Sequence, residues 1–385
     1  MADTNFGLLT AHQKKTWSKD FWSQARNYSF INKFLGKDSN SIIQHVDELT
    51  KTAKGTQAII TLVADMEGDG VVGDNRLKGN EEALKSYEQV IQYDQMRNGN
   101  HNEGRMADQK TIVNFREQSK DKLAYWLSDR MDQLAFLTLS GRAYTLRTNG
   151  ATRVGSSLPD LDFAADVAAP SDKRFGQWDQ GSQSILWGTG TGTIVNGAIG
   201  TGDYPTWEML VQAKAYAKDN FIRCVREKGG EECYHVFFTP QQMAKLKLDP
   251  TYMQNLRHAQ SRDGSNALFT GSTVKVDGLY LHEFRHVFNT AGLSGSVLVP
   301  GGGALHSKWG ASGDVDGAQA LFCGAQAMGM ADIGDSEWDE ETDDYKNSYG
   351  IAIAKMLGFL KPRFYTQYSG GTVQDHGVLS IYTAF

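Results

Sequence analysis

The chain has 385 residues, 40% hydrophobic and 22% charged, which is ordinary for a folded globular protein and long enough for two or three domains with a sizeable core. A net charge of −6 and a pI near 5.9 exclude a general nucleic-acid binder, which would carry a basic stripe. With 41 glycines against 7 prolines, the chain should turn often without being a disordered linker.

Residues 1–50 read as a basic, aromatic arm. In the first 40 residues Lys14, Lys15, Lys19, Arg26, Lys33 and Lys37 face only Asp3, Asp20 and Asp38, and Trp17, Phe21, Trp22, Tyr28 and Phe30 are interleaved. Docking of this amphipathic arm on a neighbouring protein surface is the expectation, with Trp17, Phe21 and Trp22 as contacts; nucleic-acid contact is the alternative. The arm ends in a short helical pattern, SNSIIQHVDELT. Its start lacks the apolar core of a signal peptide, and no run of 18 or more apolar residues follows. The expectation is synthesis in the cytosol, no membrane, and a mature chain from which no N-terminal scaffolding segment is removed.

A polar, glycine-dotted excursion follows, flanked by strand-like TQAIITLVA and EQVIQYDQM. A loop of roughly 40 residues inside a compact domain is improbable unless it is functional or disordered. A two-stranded excursion also needs a surface to cover it, and another subunit is the natural cover. Gly68, Gly70, Gly73, Asp74, Leu77, Gly79 and Glu81 are the expected inter-subunit residues, the glycines permitting tilt. Asp65, Glu67 and Asp69 mimic a calcium loop, but Arg76 stands where its last carboxylate belongs, so a turn is expected.

From residue 106 to 140 the apolar positions Ile112, Phe115, Leu123, Trp126 or Leu127, Met131, Leu134 and Leu137 recur at helical spacing, with charges opposite. Asp108 suits the N-cap and Gly141 the stop. About 35 residues at 1.5 Å each reach ~50 Å, close to the ~55 Å diameter of a compact globule of this length. The chain offers no second helix of that length to pair with it.

Residues 142–205, rich in Gly, Ala, Thr and Ser, read as surface insertion or irregular strands; Gly188, Gly190 and Gly192 lack the partners of a nucleotide cradle. From Thr206 the pattern is mixed α/β. A helix is expected up to Gly229 and Gly230, then a buried strand CYHVFF, a helix opened by Thr239 and Pro240, and strands in STVKVDGLYLHEFRHVFN, GSVLVP and GAQALFCGAQAMGMAD. The acidic run 335–344 reads as a solvated loop. Further strands close the chain. Cys224, Cys233 and Cys323 are odd in number and lack CxxC spacing, so free thiols are expected.

HEFRH, from His282 to His286, matches the HExxH zinc signature, which needs both histidines on one helix face. The preceding VKVDGLYL alternates like a strand, which would set the histidines about 13 Å apart. Asn289 and Gly292 also replace the residues of the extended motif. A zinc-dependent hydrolase built on His282, Glu283 and His286 is the alternative reading; no cofactor, metal or catalytic residue is expected otherwise.

The strings GDGVVGDNRLKGNEEAL, IQYDQMRNG, DRMDQLAFLTLSG and SYGIAIAKMLGFLKPRF resemble the major capsid proteins of tailed bacteriophages, in the group typified by phage N four. The resemblance implies an α+β Hong Kong 97-type capsid fold: arm 1–50, extended loop 51–105, peripheral domain with spine helix and surface insertion 106–205, axial domain 206–345, and a return to the peripheral domain over 346–385. It implies spine-helix packing through Ile112, Phe115, Leu123, Trp126 and Leu134. It also implies self-assembly through hexamers and pentamers into an icosahedral shell around double-stranded DNA, bound without sequence specificity. Portal, scaffolding and decoration proteins would be partners, and the virion the destination of a chain made in the bacterial host cytoplasm. A tail or decoration protein would share the polymer logic without the spine helix.

Overall fold

The computed structural model describes residues 21–47, 55, 57–63, 66, 68–83, 86–110, 115–188, 199–227, 229–259, 274–293, 308–310, 313–345, 347–366 and 372–385. Helical residues 21–28 (α1) lead through a 3-10 turn at Ile31–Phe34 into β1 (Leu35–Gly36) and β2 (Ile43–Val46). Next come β3 (Gln57–Val63), β4 (Ser86–Gln92), β5 (Asp94–His101) and the helices α2 (Arg105–Lys110) and α3 (Phe115–Ser140). β6 (Phe175–Asp179) and β7 (Ser184–Trp187) precede α4 (Trp207–Asp219), β8 (Val225–Arg226), β9 (Glu232–Phe238), α5 (Pro240–Leu248) and α6 (Pro250–Ala259). The chain ends with β10 (Val274–Val276), β11 (Leu279–Glu283), β12 (Gly317–Cys323), β13 (Met328–Asp332), β14 (Glu337–Asp343), β15 (Ser348–Leu360), β16 (Arg363–Thr366), β17 (Thr372–Asp375) and β18 (Val378–Ala384).

Two sheets carry most of the strands. In the six-stranded one the order is β1-β2-β13-β15-β14, with β5 paired along the other side of β15. The period of two along β15 sends Ile351, Ile353, Leu357 and Phe359 to the core shared with α3. Residues of the opposite parity, Gly358 and Leu360, face the β3–β4 hairpin. The eight-stranded sheet runs β10-β11-β9-β12-β18-β6-β7, with β8 on β9. Its strand β12 is buried throughout: Leu321 and Cys323 join the α3 core, whereas Ala320 and Phe322 join α4, α5 and α6 on the other face. α3 therefore packs against both sheets, touching β15, β5 and β12.

The first turns of α3 are amphipathic, and residues 131–140 are buried on every side. Leu123, Leu127, Met131, Leu134 and Leu137 are buried, Phe115 and Trp126 half-buried; Ile112 lies outside the described residues. Leu127 is buried in the stripe, and Trp126 packs beside it against the same core. Gly141 ends the helix at φ 66°. Asp108 is not a cap, because α2 already runs through it from Arg105.

Several expectations are corrected. Residues 43–46 are a strand, since pairing with β13 outweighs the local helical spacing. The acidic run is also a strand: β14 pairs with β15 along its length, burying Trp338 and leaving its carboxylates at the sheet edge. α4 stops at Asp219, where Phe221 takes φ 53°. Residues 142–187 are no surface insertion: Tyr144, Leu146, Leu161 and Phe163 enter the α3 core, and β6 pairs with β18 in the eight-stranded sheet. The expected boundary at 345/346 falls inside one sheet, since β13 and β14 pair with β15; β18 returns instead to the eight-stranded sheet. Thr239 does form a capping box with Gln242, and the three cysteines are free. GSVLVP, Gly190 and Gly192 lie outside the described residues.

Candidate assembly surfaces

β3 and β4 pair from Gln57↔Gln92 to Val63↔Ser86. Alternation puts Ala58, Ile60, Leu62 and Ile91 on a buried face, where Ala58, Ile60 and Ile91 pack with Val46, Tyr93, Ala331 and Leu360, while Ile59 and Val90 point outward. The seat is close. A Cβ on Gly358 would stand 2.1 Å from the Gln92 carbonyl oxygen, and one on Gly329 would stand 2.9 Å from Ile91 Cδ1. Gln89 adds a reciprocal pair with the Arg363 backbone: its Nε2 donates at 2.6 Å and its Oε1 accepts at 2.9 Å.

Beyond the hairpin, residues 68–83 have no regular structure, and Val72 and Leu77 are exposed. The loop bonds to itself: Gly68 N–H to Glu82 (2.7 Å), Gly79 N–H to Glu81 (2.6 Å), and Asn75 and Asn80 to the Val72 and Arg76 carbonyls. Gly70, Gly73 and Gly79 hold φ of 70°, 68° and 97°, with nothing within 4 Å of a would-be Cβ. Gly68 has no such requirement. Asp74 and Leu77 are exposed on this loop; Asp65 and Glu67 lie outside the described residues.

The described part of the arm packs on its own chain, against expectation. Phe21 and Trp22 are buried: Phe21 meets Trp338 at 6.1 Å between centroids, and Lys355 Nζ lies 4.0 Å over the Trp22 ring. One apolar helix face explains docking but does not say on whom; Trp17 lies outside the described residues. Asp132 of α3 anchors the turn, accepting from Ser29 Oγ (2.8 Å), Phe30 N–H (2.9 Å) and Ile31 N–H (3.2 Å). Burial pushes its carboxyl up despite these donors. His45 on β2 lies 2.7 Å from both Asp47 and Asp332, tying the arm to the sheet.

Asp132→Ala should therefore loosen the arm by ~2–4 kcal/mol, since buried amides lose a charged acceptor. Hydrogen exchange at residues 29–31 measures this, with faster exchange expected; unchanged protection would show that Asp132 is not the anchor.

The HEFRH residues part ways. His282, on β11, contacts His235 at 2.9 Å, and burial pushes both imidazoles down to about 4. His286, past the strand end, contacts Asp129 at 2.8 Å, and Glu283 pairs with Lys247 at 3.5 Å. Three side chains thus serve three partners. Among the described residues, the groups with possible ligand atoms within 4.8 Å of one another are His45, Asp47 and Asp332, and Glu227, Glu231 and Cys233. In the first, both His45 nitrogens already face carboxylates; in the second, Lys275 sits between the glutamates.

A family model described as phage capsid protein matches residues 5–385. The chain belongs to the phage capsid protein family. It is 56% identical over 381 residues to the major capsid protein of Pseudomonas phage KPP25, covering 99% of this chain and 97% of that one. Its fold matches the capsid of Ralstonia phage GP4 with a TM-score of 0.71 at 23% identity, over 92% of this chain and 91% of that one. The Cyanophage Pam1 capsid asymmetric unit gives 0.66 at 19% identity over 99% of both chains. The fold is the α+β Hong Kong 97-type capsid fold. This capsid protein is structural and not an enzyme, and nothing supports the hydrolase reading. Among residues that carry the capsid architecture, Asp132, Gly329 and Gly358 escaped sequence reading. Asp132, an acid adjoining the apolar stripe of a helix, was the one available signal.

Proposed function

We propose that copies of this capsid protein cluster as pentamers and hexamers of an icosahedral shell around double-stranded DNA, each resting its loop, residues 68–83, on a neighbour. Family membership over residues 5–385 supports the shell. The observation that carries the loop assignment is its position: a hairpin with one seated face ends in an exposed loop without regular structure, whose Glu81 and Glu82 brace its own backbone. Gly68, Gly70, Gly73, Asp74, Leu77, Gly79 and Glu81 are the residues proposed to meet the neighbour. The net charge of −6 suits a container that does not adsorb its packed polyanion.

Synthesis in the host cytoplasm precedes incorporation in the virion. Portal, scaffolding and decoration proteins are the further partners that such a shell calls for: an entry point for DNA, a guide for curvature and an outer cap. Reconstruction of assembled particles by electron microscopy tests the reading. Density for residues 68–83 lying over another copy is expected; a loop pointing into solvent, or particles without five-fold and six-fold clusters, would overturn it.

A further inference from the structure

A cavity of about 440 Å³ opens between β5, α3 and residues 147–161. Arg97, Arg130, Arg147 and Arg153 line it, with Asp94 and Asp160 as the acids. Asp94 is already engaged by the amide N–H groups of Gln95 (2.6 Å) and Asp162 (2.9 Å). Arg130 reaches Asp129, which also serves Arg285 and His286. Arg153 donates to neutral acceptors, the Leu146 carbonyl (2.9 Å) and Gln133 Oε1 (2.7 Å). Burial and the charges of Arg130 and Arg147 push the Arg153 guanidinium down to about 10, a repulsion that an incoming anion would relieve. Arg97 and Arg147 are exposed and form no ion pair among the described residues.

The loop carries the complementary charge. Asp69, Asp74, Glu81 and Glu82 outnumber Arg76 and Lys78 over residues 68–83. Glu81 and Glu82 brace the loop's own backbone, whereas Asp69 and Asp74 are exposed and form no ion pair among the described residues. Only Tyr93 separates β4 from β5, so the cavity sits at the root of the hairpin, and the loop starts ~23 Å away along seven residues of strand. Residues 68–83 lead off the far end of the hairpin, so a contact within one chain would require the loop to fold back along the whole strand pair. A tip-to-root contact between copies is heterologous, the kind that forms a ring when the rotation between copies closes.

We propose that this arginine cavity receives the acidic loop tip, Asp69 to Asp74, of a neighbouring copy. The proposal rests on the loop assignment above and adds its receptor. Arg147→Glu is an exposed change and should cut shell yield by about tenfold at low salt, because it sets like charges face to face. Its circular dichroism should match the parent. Should the reversal unfold the subunit, Arg147→Gln replaces it, with a smaller loss expected. Adding Asp74→Arg to Arg147→Glu should recover most of the yield. Normal shell yield from the Arg147 variants would overturn the receptor while leaving the loop assignment standing, since deletion of the loop tests that separately. A charge swap that assembles no better than Arg147→Glu alone, or variant shells that form normally but fail to retain DNA, would assign the cavity to another anion and end the proposal.

Discussion

Replacing residues 68–83 with a short Gly-Ser turn should leave a folded, soluble subunit that builds no shells. Glu81 and Glu82 bond to the segment's own backbone, and its left-handed glycines meet no atom within 4 Å of a would-be Cβ. Its removal should therefore alter subunit stability by no more than ~0.5 kcal/mol, the usual range for surface changes, and a shorter closure is itself mildly favourable. Assembly is another matter. If each loop covers ~300 Å² of apolar surface on a neighbour, it contributes ~7 kcal/mol before ordering costs, repeated at every contact of the shell. Thermal melting and electron microscopy of the same preparation decide the point. Normal particles from the deletion would remove the loop from the assembly mechanism.

Asp375→Ala should lower subunit stability by ~3–5 kcal/mol, in the range found when one partner of a buried ion pair is removed. Asp375 is buried between β16–β17 and the segment before β6, and it accepts from Lys361 Nζ (2.9 Å), Arg363 Nε (2.6 Å) and Ser171 N–H (3.1 Å). Lys361 is also buried, and that burial, with Arg363 and Arg142 close by, pushes its ammonium down against the pull of Asp375. Without the carboxylate the cation has no counter-charge. The melting temperature should fall by roughly 5 °C. Lys361→Met, which replaces the cation with an apolar chain of similar volume, should cost much less. Equal losses from the two variants, or a melting temperature for Asp375→Ala within error of the parent, would count against a charge-based role.

Local signals carried the elements whose pattern and environment agree. The α3 stripe, the β3–β4 alternation, the Thr239–Pro240 start and the strand around His282 are legible because the buried face repeats at the period of the element. Where partners distant in sequence decide, the pattern misleads. Ile42 and Ile43 look helical beside His45 and Val46, yet β13 recruits them edge to edge. The carboxylates of 335–344 suggest solvation, but only alternate residues need be apolar on an edge strand, and Trp338 supplies the anchor. Phe21 and Trp22 announce a buried face without naming the surface that buries it. Gly329 and Gly358 were unreadable as a seat, because nothing local distinguishes a glycine that admits another strand from one that turns the chain.

The tight fit of the hairpin root against Gly329 and Gly358 makes β3–β4 a lever. Over ~23 Å of strand, a rotation of ~5° at the root displaces the far end by ~2 Å, enough to break a hydrogen-bonded contact. With the root fixed by backbone contact, the hairpin cannot absorb different inter-subunit angles by rocking. That compliance is expected of the distal segment, where Gly70, Gly73 and Gly79 hold positive φ, so assembled copies should differ most in the last few residues of their reach.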